Sequence, residues 1–252
     1  MSMKQYKGVS GEFEYDNEMF IVDCNGLLRF RAGYKGPIDL PKGVTSCRTM
    51  FANCDLTNCY LRAFDTSLVT DMLRMFDNCK LPEGFMLGDK FDTSKVTVMT
   101  SMFCGCKLPE GFTLGDKFDT ANVTDTSRMF ECCKLPEGFT LGDKFDTSKV
   151  ETMQEMFYGC TCPENFTLSS KFHVAKVEDM KDVFKYAKLP SRCEGLVRPF
   201  AIIEVLRDAA ATFDCVEYLK TLFGEQFNDL PYASVANCET KADCDDLYNR
   251  FM

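Results

Sequence analysis

The chain has 252 residues, 45% of them apolar and 27% charged, a balance that can supply a core for one mid-sized domain. Its formal net charge of -9 sets the surface against phosphate backbones and anionic membranes, so direct nucleic-acid binding is not expected. No apolar run reaches the roughly 18 residues that span a bilayer, and the start of the chain shows no apolar signal region, so the expected location is cytoplasmic, with the cell surface as the alternative if an export signal has been removed.

Residues 1–37 are read as a cap. Phe20-Ile21-Val22 and Leu27-Leu28-Arg29-Phe30 flank Asn25-Gly26, a strong short-range hairpin signal.

Residues 38–190 are an array of repeats. The block KLPEGFMLGDKFDTSKV starts at Lys80, and copies start at Lys107, Lys134 and, in a degraded form, Thr161, each 27 residues after the last. Between blocks runs V-x-x-M-x-x-M-F-x-x-C: Val69, Met72, Met75, Phe76, Cys79; Val96, Met99, Met102, Phe103, Cys106; Val123, Thr126, Met129, Phe130, Cys133; Val150, Met153, Met156, Phe157, Cys160. Eroded copies begin at Val44 and Val177, as expected of terminal repeats that must close the core. The spacing of the apolar residues in this stretch predicts a short helix or 3₁₀ turn. Phe85-Met86-Leu87, Phe112-Thr113-Leu114, Phe139-Thr140-Leu141 and Phe166-Thr167-Leu168 alternate apolar and outward residues, which predicts one short parallel strand per unit. The expected fold class is thus α/β, a leucine-rich-repeat-like solenoid with one strand and one short helix or 3₁₀ turn per repeat. Stacking should pile Phe76, Phe103, Phe130, Phe157 and Phe184 into one column.

Residues 191–252 are read as a small helical C-terminal cap or appendage, with helices over 200–211 and 213–223 and a third from Thr240. This segment carries eleven acids against six bases. More than half of the excess negative charge therefore sits there.

The phrases FDTSKVTVMTSMFCGC, FDTANVTDTSRMFECC and FDTSKVETMQEMFYGC resemble the BspA-like group of leucine-rich repeats, found in bacterial surface proteins and mycoplasma lipoproteins. The resemblance covers about residues 38–190. It implies a solenoid with a parallel sheet on one face, and a role in adhesion and protein binding. The inserted LPEGF…LGDK segment departs from the shorter connection of that group.

Catalytic chemistry has little to work with. Phosphate-binding glycine loops, HExxH and GxSxG are absent, and His173 is the single histidine. The fifteen cysteines are odd in number and contain no CxxC pair; the close pairs are Cys104/Cys106, Cys132/Cys133 and Cys160/Cys162. Five of them, Cys54, Cys79, Cys106, Cys133 and Cys160, sit at one repeat position, so structural thiols are expected, with no metal and no cofactor. The Asp92, Asp119 and Asp146 column is read as a row of capped turns in preference to a calcium ladder.

The expectation is therefore a non-enzymatic scaffold that binds a protein partner. Comparing copies marks two candidate surfaces. One is a repetitive face, Met86, Thr113, Thr140 and Thr167. The other is a varied face with Arg128, Glu131, Glu155 and Tyr158, where arginine and tyrosine suit binding hot spots. The alternatives are an acidic inhibitor or decoy, of the kind a mobile element uses to block a nucleic-acid enzyme, and a bacterial surface adhesin.

Overall fold

The computed structural model describes residues 18–169, 171–174, 176–189 and 245. Of the expected C-terminal helices only Asp245, which is helical, falls among the described residues. The other positions of those helices, and residues 1–17 of the cap, lie outside them.

Strands β1 (Phe20–Val22) and β2 (Leu28–Phe30) pair antiparallel, Phe20 opposite Phe30. Asp23 holds the turn between them: its carboxylate accepts from the amides of Asn25 at 2.8 Å and Leu27 at 3.0 Å, while Gly26 adopts φ 76°. The Phe30 amide donates to the Met50 carbonyl at 2.8 Å, and its ring lies 5.3 Å from that of Phe51. The hairpin is thereby laid directly on the first repeat.

Strand β3 (Gly36–Asp39) pairs parallel with β4 (Cys59–Ala63), Ile38 opposite Leu61. Further on, the layers are joined by single parallel bridges. One series runs Ser46, Asp71, Val98, Asp125, Thr152, Asp179; a second links Lys107, Lys134, Thr161 and Lys188. From Asp71 onward every step in these two series is 27 residues, so equivalent positions of successive copies lie side by side.

The V-x-x-M-x-x-M-F-x-x-C stretch is a chain of turns, and no helix is found there. Within one copy the amides of Met102, Cys104 and Cys106 donate three residues back, to Met99, Ser101 and Phe103. The intervening amides of Met99, Ser101, Phe103 and Gly105 donate forward to Asp125, Ser127, Met129 and Glu131 of the next copy. Every second amide thus points along the stack, which an α-helix forbids because all its donors are used internally. The three-residue spacing read as a short helix or 3₁₀ turn is the spacing of successive i→i+3 turns.

The predicted strands differ as well. Phe85-Met86-Leu87 and its copies form no inter-repeat ladder, although the burial alternation is present: Phe85 and Leu87 inside, Met86 outside. Two turns isolate this segment, Pro82 carbonyl to Phe85 amide at 3.2 Å and Gly88 carbonyl to Phe91 amide at 3.1 Å, with Gly84 and Gly88 at φ 70° and 84°. In the shorter second copy the corresponding residues are β4 and pair as a true strand. The added residues of the 27-residue unit replace a strand with two turns. Separation follows: Phe112 and Phe139 stack at 6.5 Å, against 5.2–5.8 Å down the other phenylalanine column.

The interior is a set of columns. Phe51, Phe76, Phe103, Phe130, Phe157 and Phe184 stack in sequence with ring planes 1–11° apart. Phe85, Phe112, Phe139 and Phe166 approach this column edge-on at 5.7–5.9 Å. The turn chain and the LPEGF segment therefore fill one core together. Cysteines fill a third column: the thiols of Cys106 and Cys133 donate to the Phe76 and Phe103 carbonyls at 2.9 and 2.8 Å. Burial pushes the Cys106 thiol up to about 12, which suits a packed and unreactive group.

Threonine supplies the fourth column. Thr66, Thr93, Thr120 and Thr147 are fully buried or nearly so. Each hydroxyl donates to a carbonyl of the next copy, Asp92, Asp119, Asp146 or His173, at 2.6–2.8 Å. The neighbouring aspartates close local turns: Asp92 Oδ1 accepts from the Ser94 amide at 2.9 Å, and Asp146 from Ser148 at 2.8 Å. Hydrogen bonds from the Ser94 side chain and backbone hold the Asp92 carboxyl below its ordinary range.

Candidate partner-binding face

The turn chain fixes two recurring side-chain positions, exposed or half-buried in every copy except at Ser101, which is buried. Two positions per copy lie in the left-handed region. The first holds Thr49, Arg74, Ser101, Arg128, Glu155 and Asp182, at φ 54–57°. The second, four residues on, holds Asn53, Asn78, Gly105, Cys132, Gly159 and Tyr186. At the second position the tight fit is plain: a Cβ on Gly105 would collide with the Asn78 side chain.

Arg128, Glu131, Glu155 and Tyr158 come together on this face. Arg128 Nε lies 2.6 Å from Glu155 Oε2 in the next copy and 3.8 Å from Glu131 Oε2. The pair is half-exposed, Arg128 at 43%, so it is worth about 0–1 kcal/mol. Tyr158 packs edge-on against Tyr186 at 5.3 Å and 89°. Lys185 Nζ stands 5.7 Å over the Tyr186 ring and 2.9 Å from Asp182 Oδ1. The face is thus a band of paired charges ending in an aromatic pair.

Tyr186, at 71% exposed, was missed by sequence reasoning. The signal was there: an aromatic stands where the other copies carry Asn, Gly or Cys.

The remaining candidates, Met86, Thr113, Thr140 and Thr167, are exposed and belong to the LPEGF segment. They form a separate row. Between two copies of this segment opens a cleft of about 460 Å³, lined in part by Thr113, Leu114, Asp116, Thr140, Leu141 and Asp143. Among the described residues no cluster of His, Cys, Asp or Glu is arranged to hold a metal ion.

In-register layers, bridged by backbone and filled by columns of like side chains, define a tandem-repeat protein. The chain belongs to the family described as "Mycoplasma protein of unknown function, DUF285", which matches residues 45–137 and 140–189. Searches of curated proteins and of solved structures returned no match.

Proposed function

We propose that this chain is a non-enzymatic protein-binding scaffold, a leucine-rich-repeat-like solenoid of the BspA-like kind, whose partner docks on the face bearing Arg128 and Tyr158. The observation that carries this reading is the first left-handed column. A left-handed backbone is cheapest as glycine or asparagine, and other residues hold it at a cost of order 1 kcal/mol or more each. The second column uses Asn or Gly in four of its six places; the first uses neither in any. Side chains are retained there, and varied from copy to copy, where the backbone alone favours their loss. The Arg128–Glu155 pair returns no more than the backbone strain costs.

Arg128→Ala combined with Tyr158→Ala separates docking from folding. The expected result is at least tenfold weaker capture of a stoichiometric partner from lysate of the source organism, with little change in the denaturation midpoint. Equal affinity of wild type and variant for that partner, or the absence of any stoichiometric partner, contradicts the assignment.

A surface adhesin is the second reading, favoured by the match to a mycoplasma family alongside the BspA-like resemblance. It shares the same docking face and differs in where the partner is met.

A further inference from the structure

The second residue of the block that starts at Lys80 and at its equivalents, just before the proline of LPEGF, is leucine in most copies: Leu56, Leu81, Leu108, Leu135 and Leu189, each in or against the core. In one copy it is Cys162. A cysteine there gives up apolar volume that a leucine fills elsewhere, so packing does not explain it. Its Sγ lies 3.8 Å from Sγ of Cys160, the fully buried member of the cysteine column.

The other column thiols are committed to carbonyls. Cys79 donates to Phe51 and Cys54 at 3.4 and 3.3 Å, and Cys106 and Cys133 donate to Phe76 and Phe103. Cys160 instead meets the thiol of Cys162. Spacing alone does not produce this contact. Cys104 and Cys106 are also two residues apart, yet Cys104 Sγ turns to Glu131 Oε2 at 3.6 Å and Cys106 to the Phe76 carbonyl at 2.9 Å.

We propose that Cys160 and Cys162 form a thiol–disulfide exchange site that closes to an internal disulfide on reaction with a small-molecule or protein disulfide. Cys162 is half-buried and within reach of solvent, whereas Cys160 is not, so the roles divide by access. The Cys162 thiolate attacks one sulfur of the incoming disulfide, forming a mixed disulfide and releasing one thiol. Cys160 then attacks Cys162 Sγ and expels the second thiol, its proton passing to the departing thiolate. Two protein thiols are oxidised and one external disulfide is reduced. The sulfurs must close from 3.8 Å to the ~2.05 Å of a disulfide, a movement within the range of side-chain rotation at Cys162. The hydrogen bond from Cys162, together with burial, pushes the Cys160 thiol far up, which confines it to the second, intramolecular step.

The sequence provides its own control. Trypsin releases residues 150–171, which contain Cys160 and Cys162 alone, and residues 96–107, which contain Cys104 and Cys106 alone. The native full chain is treated with oxidised glutathione, then unfolded in N-ethylmaleimide, digested and weighed by mass spectrometry. The expected 150–171 peptide is lighter by two hydrogens and carries no alkyl group, while 96–107 carries two. In Cys162→Leu, which restores the leucine of the other copies, the 150–171 peptide carries one alkyl group with or without oxidant. The proposal is overturned if 150–171 keeps both alkyl groups, if it carries glutathione without an internal bond, or if both peptides oxidise alike.

Discussion

Replacing Phe130 by alanine is expected to lower stability by about 3–5 kcal/mol, read from the midpoint of urea denaturation at unchanged slope. The ring is fully buried and stacks on Phe103 at 5.8 Å and Phe157 at 5.4 Å, with Phe139 edge-on at 5.8 Å. Truncation removes contacts from two neighbouring layers as well as its own. The backbone on either side is tied to those layers, Phe103 amide to Met129 carbonyl and Phe130 amide to Met156 carbonyl, so the cavity collapses poorly. Phe184→Ala is expected to cost less, since that ring is 9% exposed. Equal costs at the two positions would mean that the column does not carry load between layers.

Thr120→Val is expected to cost about 2–4 kcal/mol although the side chains are nearly the same shape. The Thr120 hydroxyl donates to the Asp146 carbonyl at 2.8 Å and accepts from the Asp146 amide at 2.7 Å. Valine keeps the volume and takes the Thr120 partner from both part-buried backbone groups. Thr120→Ser keeps the hydroxyl and loses one methyl, and is expected to retain most of the stability in the same assay, with a cost of about 1 kcal/mol. A Val variant as stable as the Ser variant would show that the hydroxyl does not lace the layers together.

The stacking of Phe130 between Phe103 and Phe157 was legible in the sequence because a repeat of fixed length brings equivalent side chains into register whatever the local backbone does. Secondary structure was less legible. A three-residue spacing such as Val96, Met99, Met102 belongs equally to a helix and to consecutive turns, and burial obeys the period in both. What separates them is backbone sign: Asn53, Asn78, Gly105 and Gly159 recur before the column cysteine or its equivalent, and Asn and Gly there mark a left-handed residue in a turn. Likewise the alternation of Phe85, Met86 and Leu87 describes which side chains face inward, and says nothing about whether the backbone finds a neighbour. Gly84 and Gly88, bracketing that segment, were the residues that turned it away from pairing. At the candidate face, comparison of copies found Arg128 and Tyr158 as varied positions. The pairing of Arg128 with Glu155 depends on the next layer and was visible only in space.

Deleting residues 107–133 is the most direct test of the stacked repeat. The cut joins Cys106 to Lys134, which replaces Lys107 at the same repeat position and restores every column one layer shorter. The account predicts a single cooperative denaturation transition with a lower midpoint and a shallower slope, in keeping with one layer fewer of buried surface. A variant of this kind with no cooperative transition would contradict it.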